Sequence, residues 1–258
     1  MARDQPDMVL YHGWSSSASR KTRFCLAEKG LVYESRPMDL LTFEHHQDWY
    51  KALNPSGIVP ALLIDGVPLV ESNLINEYLD AAFPEPPLRP ADPLQLYQMR
   101  LWAKYIDDDC LPAVQKPNWM SKMHPMARQW SDAELEARLA AIPTEGRRRL
   151  WYRMARDPFT AEEMETAAQV LRGMLDRIEA MTADGGWIIG GAFSLADIAA
   201  APYVKRVEEE EPEQLEAKRR PRTADWWARL RARPAYPAAH IGDYVAQSDA
   251  DWKPDAAV

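Results

Sequence analysis

Five prolines fall within ten residues of the chain, at positions 84, 86, 87, 90 and 93. Proline fixes φ and carries no backbone N–H, so this segment is excluded from a helix interior and from a central strand. The pattern predicts a stiff linker over residues 83–93. It divides the 258 residues into a first part, residues 1–82, and a second part, residues 94–258.

The first part alternates between strand-like and helix-like segments. Short apolar runs predict strands at Met8–Tyr11 and Leu31–Met38, and the segment Ser17–Lys29, followed by Gly30, predicts a helix with a glycine C-cap. The pair Asp65-Gly66 between two apolar runs predicts a β-hairpin. The other elements predicted here are a helix at Phe43–Leu53, strands at Pro60–Ile64 and Val67–Val70, and a helix at Ser72–Ala82. The predicted order is βαβ, then a hairpin and a helix, which is an α/β domain.

The second part lacks the alternation that strands require, and capping boxes mark the starts of its helices. The segments Ser131–Glu134, Thr160–Glu163 and Ser194–Asp197 each place Ser or Thr three residues before an acidic residue. Helices are also predicted at Leu94–Val114 and from Thr223 onward. The second part is therefore predicted to be all-α.

The charge balance and the cysteine count exclude several classes of protein. With 31 basic and 39 acidic side chains the net charge is −8, which argues against nucleic-acid binding because that requires a basic face. Two cysteines, Cys25 and Cys110, are too few for a disulfide framework or a cysteine metal cluster, and we expect no metal. No apolar run reaches about 18–20 residues and the N-terminus lacks a signal-peptide pattern, so we expect a cytoplasmic protein that does not enter a membrane.

Four local features occur in order along nearly the whole chain. They are a strand, a serine-rich turn and a helix over residues 10–30; the loop Asn54-Pro-Ser-Gly-Ile-Val-Pro60; the pair Glu71-Ser72 at a helix start; and the capping box Ser194–Asp197 after Gly190-Gly191. Together with the linker, they resemble the soluble glutathione transferase superfamily. The resemblance implies a thioredoxin-like α/β N-terminal domain that binds glutathione and an all-α C-terminal helical domain that binds the second substrate.

The resemblance assigns glutathione contacts to two segments. It implies that the Val59-Pro60 bond is cis and that Val59 turns its backbone N–H and C=O toward the cysteinyl part of glutathione. X–Pro is the bond for which the cis form costs least, about 0.5–1 kcal/mol. Glu71 and Ser72 open a helix, where unpaired N–H groups and the positive end of the dipole suit a carboxylate. We expect these two residues to hold the γ-glutamyl group.

A basic residue is expected for the glycyl carboxylate of glutathione. His46 lies eight residues before Asn54, an offset at which several members of the superfamily place such a residue, and His45 is the alternative. The sequence departs from the family pattern at Ile58, where a basic residue is common, although Ile58 stays among the expected glutathione-binding residues. The carboxylate therefore depends on one of the histidines or on an arginine that the pattern does not locate.

The family's reaction needs the glutathione thiolate, because the thiol is a poor nucleophile and has an unperturbed pKa of about 8.5. One hydroxyl donor at a helix N-terminus favours the thiolate. The serines in the turn are Ser15, Ser16, Ser17 and Ser19. Comparison with the family ranks Ser16 first, then Ser19, then Ser17. Tyr11, near the end of the first strand, is a rival, whereas the thiol-exchanging branch is disfavoured because no Cys-x-x-Cys occurs.

Three further segments narrow the resemblance: Glu44–Pro55, Leu88–Pro93 and an insertion at about residues 115–158. They look like the bacterial glutathione-dependent β-etherases that cleave aryl ethers of lignin. The implied reaction is attack of the glutathione thiolate on the β-carbon of a β-aryloxy α-keto compound, which releases a phenol and leaves a glutathione thioether. The alternatives are a transferase for other electrophiles (an epoxide, a haloarene or a double bond to be isomerised) and a glutathione-binding protein without turnover.

The chain contains ten tryptophans, and pockets for aromatic substrates favour aromatic side chains. Trp14 beside the serine turn, Tyr105 on the first helix of the second part and Trp119 at the start of the insertion are predicted to line the substrate pocket. The resemblance also implies a homodimer, with glutathione as co-substrate.

Overall fold

The computed structural model describes residues 5–242, and strands and helices alternate in its first part. The elements are β1 (Met8–His12), α1 (Ser17–Glu28), β2 (Glu34–Pro37), α2 (Asp48–Leu53), β3 (Ala61–Ile64), β4 (Val67–Val70) and α3 (Ser72–Ala82), with a 3₁₀ turn at Glu44–His46 ahead of α2. The predicted order, βαβ followed by a hairpin and a helix, is confirmed.

The four strands form one mixed sheet in the order β2-β1-β3-β4. β1 runs parallel to β2, as a crossover through α1 requires, and antiparallel to β3. The hairpin between β3 and β4 turns at Asp65 and Gly66, which have φ values of 49° and 80°. Two-residue hairpin turns of type I′ require positive φ at both positions, so the predicted hairpin is confirmed.

β2 is shorter than the predicted strand Leu31–Met38 because the first of those residues completes the preceding helix. Gly30 has φ of 62°, and the N–H of Leu31 donates to the carbonyl of Leu26 at 3.0 Å, which closes the end of α1 in a Schellman-type cap. The predicted glycine cap is confirmed. Pairing with β1 starts only at Glu34.

The second part contains helices and no strand within residues 93–242. The helices are α4 (Pro93–Tyr105), α5 (Leu111–Lys122), α6 (His124–Ala127), α7 (Asp132–Ala141), α8 (Glu145–Arg156), α9 (Ala161–Met181), α10 (Leu195–Glu210), α11 (Pro221–Arg231) and α12 (Ala235–Ala238). Over the described range of the chain, none of the helices has the length and apolar character needed to cross a membrane.

In the first part, the predicted helix Phe43–Leu53 forms only from Asp48, after the 3₁₀ turn. In the second part, two helix boundaries differ from the prediction. The predicted helix Leu94–Val114 is interrupted by a π-helical turn at Ile106–Cys110, and helix then continues to Lys122. The π turn lies just before Pro112, whose missing N–H leaves no α-helical bond to the carbonyl four residues earlier. The last long helix begins at Pro221 and not at Thr223, because proline at the first helical position loses no hydrogen bond.

The three predicted capping boxes are all present. In each, the hydroxyl of the N-cap residue accepts a hydrogen bond from a backbone N–H of the first turn, and the acidic side chain accepts one from the N–H of the N-cap residue. The pairs are Ser131 with Glu134, Thr160 with Glu163, and Ser194 with Asp197.

Asp197 does more than cap α10. Its carboxylate is fully buried and also accepts hydrogen bonds from the N–H of Ile188 at 3.0 Å and from Nε1 of Trp226 at 2.8 Å. The start of α10 is therefore tied both to the loop that precedes it and to α11.

One hydrophobic core joins the sheet to the helical part. Leu10 of β1 and Phe24 of α1 belong to the same buried cluster as Tyr203 of α10 and Trp226 of α11. α1 packs against α3 and against α10, and its residues 19–26 are all buried. The N-terminus of α1, which carries the serine turn, is therefore held by both parts.

A second buried cluster, the aromatic cluster, is formed by Phe43, Trp119, Trp130 and Trp151. The ring centroids of Phe43 and Trp151 are 4.7 Å apart, and those of Trp119 and Trp151 are 4.8 Å apart. The three tryptophans belong to the region that runs from α5 to α8, whereas Phe43 lies just ahead of the 3₁₀ turn in the first part. The predicted insertion is therefore docked on the loop between β2 and α2.

Candidate active site

The serine turn joins β1 to α1 at the boundary between the two parts. Ser16 is the N-cap of α1, and its Oγ accepts a hydrogen bond from the N–H of Ser19 at 3.2 Å. Because that bond uses a lone pair of the oxygen, the Ser16 hydroxyl proton stays available for another acceptor. Ser17 is the first residue of the helix, and both Ser16 and Ser17 line a cavity.

Ser19, ranked second from the sequence, faces the protein interior. Its side chain is fully buried, and its Oγ accepts a hydrogen bond from the N–H of Gly13 at 3.2 Å. Ser19 is not among the residues that line the cavity. It holds the shape of the turn, and the hydroxyls that reach the cavity are those of Ser15, Ser16 and Ser17.

The cavity has a volume of about 140 Å³ and is bounded by both parts of the chain. The first part supplies the serine turn, Ile58 and Val59, and the helical part supplies Trp119, Arg147 and Trp151. It is a narrow space in which hydroxyl, aromatic and cationic side chains face a common volume.

The loop ahead of β3 presents backbone groups to this cavity. The Val59–Pro60 bond is cis, as expected. Tyr50 Oη and Asn54 Nδ2 both donate to the carbonyl of Ile58, each at 2.7 Å, and hold the loop in place. Within residues 5–242 the N–H and C=O of Val59 have no hydrogen-bond partner. A ligand that lies along the loop therefore finds both groups available.

His45 and His46 lie side by side near the loop, with ring centroids 3.9 Å apart. His45 lines the cavity, whereas His46 does not. Burial lowers the pKa of His45 to about 2 and the pKa of His46 to about 4, with the positive charge of Arg147 contributing to both shifts. Both imidazoles are therefore neutral at pH 7 and supply no positive charge to a carboxylate.

Glu71 and Ser72 stand at the N-terminus of α3, as predicted from the sequence, but outside the lining of the cavity. Glu71 has φ of 68° and ψ of 101°, a conformation that costs a non-glycine residue about 1–3 kcal/mol. Its side chain is exposed and makes no capping hydrogen bond, while Ser72 is buried. The N–H groups in the first turn of α3 therefore receive no side-chain cap from Glu71.

Two of the three predicted pocket aromatics lie elsewhere. Trp14 packs edge-on against His12, with ring centroids 4.5 Å apart, and the guanidinium carbon of Arg23 lies 4.8 Å from its ring centroid. Tyr105 lines a different cavity of about 800 Å³, where the guanidinium carbon of Arg177 lies 4.0 Å from its ring centroid. Of the three, only Trp119 is brought to the cavity beside the serine turn.

Tyr11, the alternative hydroxyl, also points away from this cavity. Its Oη accepts a hydrogen bond from Arg36 at 2.9 Å, and its ring packs against that of Trp49, with centroids 5.6 Å apart. Tyr11 lines a separate cavity with Arg36 and Trp49.

Arg147 and Trp151 line the cavity although the sequence analysis did not name them as site residues. Trp151 is buried in the aromatic cluster, and the guanidinium carbon of Arg147 lies 5.3 Å from the ring centroid of Trp119. Both belong to α8, far along the chain from the serine turn. The signal for Arg147 was its place in a run of three arginines at a helix start, where the dipole disfavours positive charge.

Family models match both parts of the chain. The model described as glutathione S-transferase, N-terminal domain, matches residues 6–81, and the model described as glutathione S-transferase, C-terminal domain, matches residues 139–234. The chain belongs to the glutathione S-transferase family.

Two kinds of enzyme are found among its relatives. Protein LigF of Sphingobium sp. (strain NBRC 103272 / SYK-6) is 33% identical over 233 residues, which span 88% of this chain and 91% of LigF. The crystal structure of beta-etherase LigF from Sphingobium sp. strain SYK-6 aligns with a TM-score of 0.80 at 30% identity, covering 90% of this chain and 98% of that one. A maleylacetoacetate isomerase of Pseudomonas aeruginosa is 31% identical over 244 residues, 90% of this chain and 95% of the isomerase.

The lowered pKa values of His45 and His46 predict a pH dependence of stability. Both folded-state values lie below the unfolded value of about 6.5, so the unfolded chain binds more protons once the pH falls below that value. The free energy of unfolding should therefore decrease between pH 7 and pH 5, by up to about 1.4 kcal/mol per pH unit for each histidine below pH 6.5.

Urea unfolding at pH 7, 6 and 5 measures this dependence, and the variants His45→Gln and His46→Gln should each flatten it. If the variants keep the slope of the unsubstituted protein, the histidines are not the groups that take up the protons.

Proposed function

We propose that this glutathione S-transferase is a β-etherase. In the proposed reaction, the glutathione thiolate attacks the β-carbon of a β-aryloxy α-keto aromatic compound. A C–S bond forms while the C–O bond to the aryloxy group breaks, and the phenolate leaves with the electron pair and takes a proton from water. The observation that carries the proposal is that the Ser16 hydroxyl and the indoles of Trp119 and Trp151 line one cavity.

Ser16 is proposed as the donor that stabilises the glutathione thiolate. Its Oγ already accepts the N–H of Ser19, which orients the hydroxyl and leaves its proton free. The N-terminus of α1 adds the positive end of a helix dipole at the same place. Both effects favour the thiolate over the thiol and so increase the fraction of reactive nucleophile.

The rest of glutathione is proposed to lie between the cis-proline loop and α3. The unpaired N–H and C=O of Val59 suit the cysteinyl backbone, and Ile58 and Pro60 flank Val59 along the proposed path of glutathione. The strained backbone of Glu71 and the start of α3 at Ser72 suit the γ-glutamyl carboxylate and ammonium.

The aromatic wall supports an aromatic electrophile. The ring centroids of Trp119 and Trp151 are 4.8 Å apart, and both residues line the cavity that the serine turn also lines. The α-carbonyl of the substrate activates the β-carbon, so the protein needs to supply only the thiolate and its position. Similarity to the beta-etherase LigF over 88% of the chain adds to this support.

A glutathione-dependent isomerase is the second candidate, favoured by the 31% identity to maleylacetoacetate isomerase. In that reaction glutathione adds to a double bond and leaves again after rotation, so it is not consumed. The stoichiometry of glutathione therefore separates the two functions.

The role of Ser16 can be separated from its role as a helix cap. Ser16→Gly removes the hydroxyl but keeps a residue that caps helices well, so stability should fall by only a few tenths of a kcal/mol. The pKa of bound glutathione should rise by about one unit and kcat/KM at pH 7 should fall by about tenfold. The thiolate absorbance of the binary complex, titrated with pH, measures the pKa, with Ser17→Ala and Ser19→Ala as controls. If Ser17→Ala raises the pKa and Ser16→Gly does not, the proposed donor is wrong.

The reaction itself is tested with a fluorogenic β-aryl α-keto ether. One glutathione should be consumed for each phenol released, and the other product should be a glutathione thioether. Turnover of a maleyl compound without loss of glutathione, and no phenol release, would favour the isomerase. Turnover of a chloroarene alone indicates a general transferase, and retention on glutathione resin without any turnover indicates a binding protein.

A homodimer is also proposed, because α3 and α4 expose a connected apolar face. Leu74 and Tyr78 of α3 and Leu94, Tyr97 and Leu101 of α4 are each at least 44% exposed. The two helices are joined by an ion pair between Glu77 and Arg100 at 2.7 Å. An apolar patch of this kind marks an interaction surface.

Sedimentation equilibrium should therefore report a dimer, and Leu101→Asp should shift it toward monomer. Val32→Asp, at an exposed apolar residue outside this face, should leave the dimer intact. A monomer at micromolar concentration for the unsubstituted chain contradicts the proposal.

A further inference from the structure

The charged side chains that line the cavity are positive. Among the described residues that line it are the cations Arg147 and Arg206, and none of the lining residues is an aspartate or glutamate. Because the space is small and partly walled by indoles, the field of an unpaired cation is weakly screened there. The cavity is therefore built to receive negative charge.

Arg206 is already occupied. Its guanidinium donates to the carbonyl of Ser15 at 3.0 Å and forms an ion pair with Glu209 at 2.8 Å. These bonds neutralise the charge of Arg206 and fix the serine turn against α10. Arg206 is a structural cation at the edge of the cavity.

Arg147 has no such partner. Within residues 5–242 no hydrogen-bond acceptor and no carboxylate pairs with its guanidinium, whose carbon lies 5.3 Å from the ring centroid of Trp119. Three other arginines of α8 are paired: Arg148 with the carbonyl of Ile142, Arg153 with Glu163, and Arg156 with Asp132.

The position of Arg147 is unfavourable for a cation in the absence of a ligand. It lies in the first turn of α8, where the helix dipole is positive, and burial lowers the pKa of its guanidinium. An arginine nevertheless stays protonated at neutral pH and presents a planar fork that matches a carboxylate. The chain keeps an uncompensated guanidinium at a site that a bound anion would stabilise.

The place of Arg147 identifies the ligand group. It lines the same cavity as Ile58 and Val59, which border the proposed path of glutathione, and its charge acts on His45 and His46. The histidines were the expected partners of the glycyl carboxylate, but they are neutral. A carboxylate that enters this end of the cavity meets one available positive charge among the described lining residues, that of Arg147.

We propose that Arg147, from the region that runs from α5 to α8, is the carboxylate-binding residue of the cavity. The carboxylate belongs to the glycyl end of glutathione or to an acidic electrophile, and the experiment below separates these sources. This inference rests on the proposed glutathione site. Its consequence is that the ligand carrying the carboxylate is held across both parts of the chain, with the helical part supplying the charge.

The test is a thermodynamic cycle between one side chain and one ligand group. Glutathione and its glycinamide analogue, which lacks only the glycyl charge, are titrated by calorimetry into the unsubstituted protein and into Arg147→Met and Arg147→Lys. The unsubstituted protein should bind glutathione about 10- to 100-fold more tightly than the glycinamide, as expected for a hydrogen-bonded charge pair. In Arg147→Met this preference should disappear, and in Arg147→Lys part of it should return.

Arg149→Gln removes the same charge from an exposed position two residues further along α8, and should keep the full preference. A second arm compares an electrophile that carries a carboxylate with its carboxamide in the presence of glutathione. If Arg147→Met loses only the preference for the carboxylate electrophile over its carboxamide, the carboxylate bound by Arg147 belongs to the electrophile. If Arg147→Met retains both preferences, the inference is overturned.

The binding measurements need no turnover, so they fail independently of the proposed reaction. Phenol release by an Arg147→Met variant that has kept both preferences leaves the etherase standing and removes the role of Arg147. If the unsubstituted protein shows the preference, Arg147→Met loses it and no phenol is released, the role of Arg147 stands and the etherase function is ruled out. Thermal unfolding of each variant confirms that the fold is retained.

Discussion

The buried carboxylate of Asp197 is the interaction on which the arrangement of the two parts depends. It accepts the N–H groups of Ile188 and Ser194 and the indole of Trp226, so it fixes where α10 begins. α10 then packs against α1, whose first turn carries Ser16. Loss of this carboxylate would leave three buried donors without an acceptor, each at a cost of about 1–3 kcal/mol. The position of the hydroxyl at the cavity is therefore set in part by a side chain far along the sequence.

The sequence predicted best those elements that local chemistry determines. The Asp65-Gly66 turn, the Gly30 cap and the capping box at Ser194 follow from a few adjacent residues, whereas the cis bond at Val59 was implied by the family resemblance, and the structure confirms all four. The start of β2 was missed because the residues ahead of it complete the cap of α1, and the π turn was missed because it depends on how the helix accommodates Pro112.

Local motifs indicated the first-part side of the cavity, and Trp119 was the residue of the helical part that was both predicted to line a pocket and found at this cavity. Ser16, Ser17, Ile58 and Val59 follow local motifs, and the structure brings them to one cavity. Arg147 and Trp151 reach that cavity through packing of distant helices, which no local pattern records. Trp14 and Tyr105 were predicted to line the pocket and lie elsewhere. Trp14 is close in sequence to the serine turn and Tyr105 lies on an expected helix, but neither property determines where the ring points. The histidines lie near the loop, but their burial, which removes their charge, is a tertiary property.

The aromatic cluster has a consequence for how molecules enter and leave. Phe43 belongs to the loop between β2 and α2, and its ring lies against Trp151 of α8 at 4.7 Å. Trp151 also lines the cavity, so any widening on that side requires rings from both parts to separate. The loop between β2 and α2 and the helices from α5 to α8 therefore behave as one cooperative unit. Because this opening exposes apolar rings to water, the rate at which a bound molecule exchanges should vary with temperature as the exposure of apolar surface does.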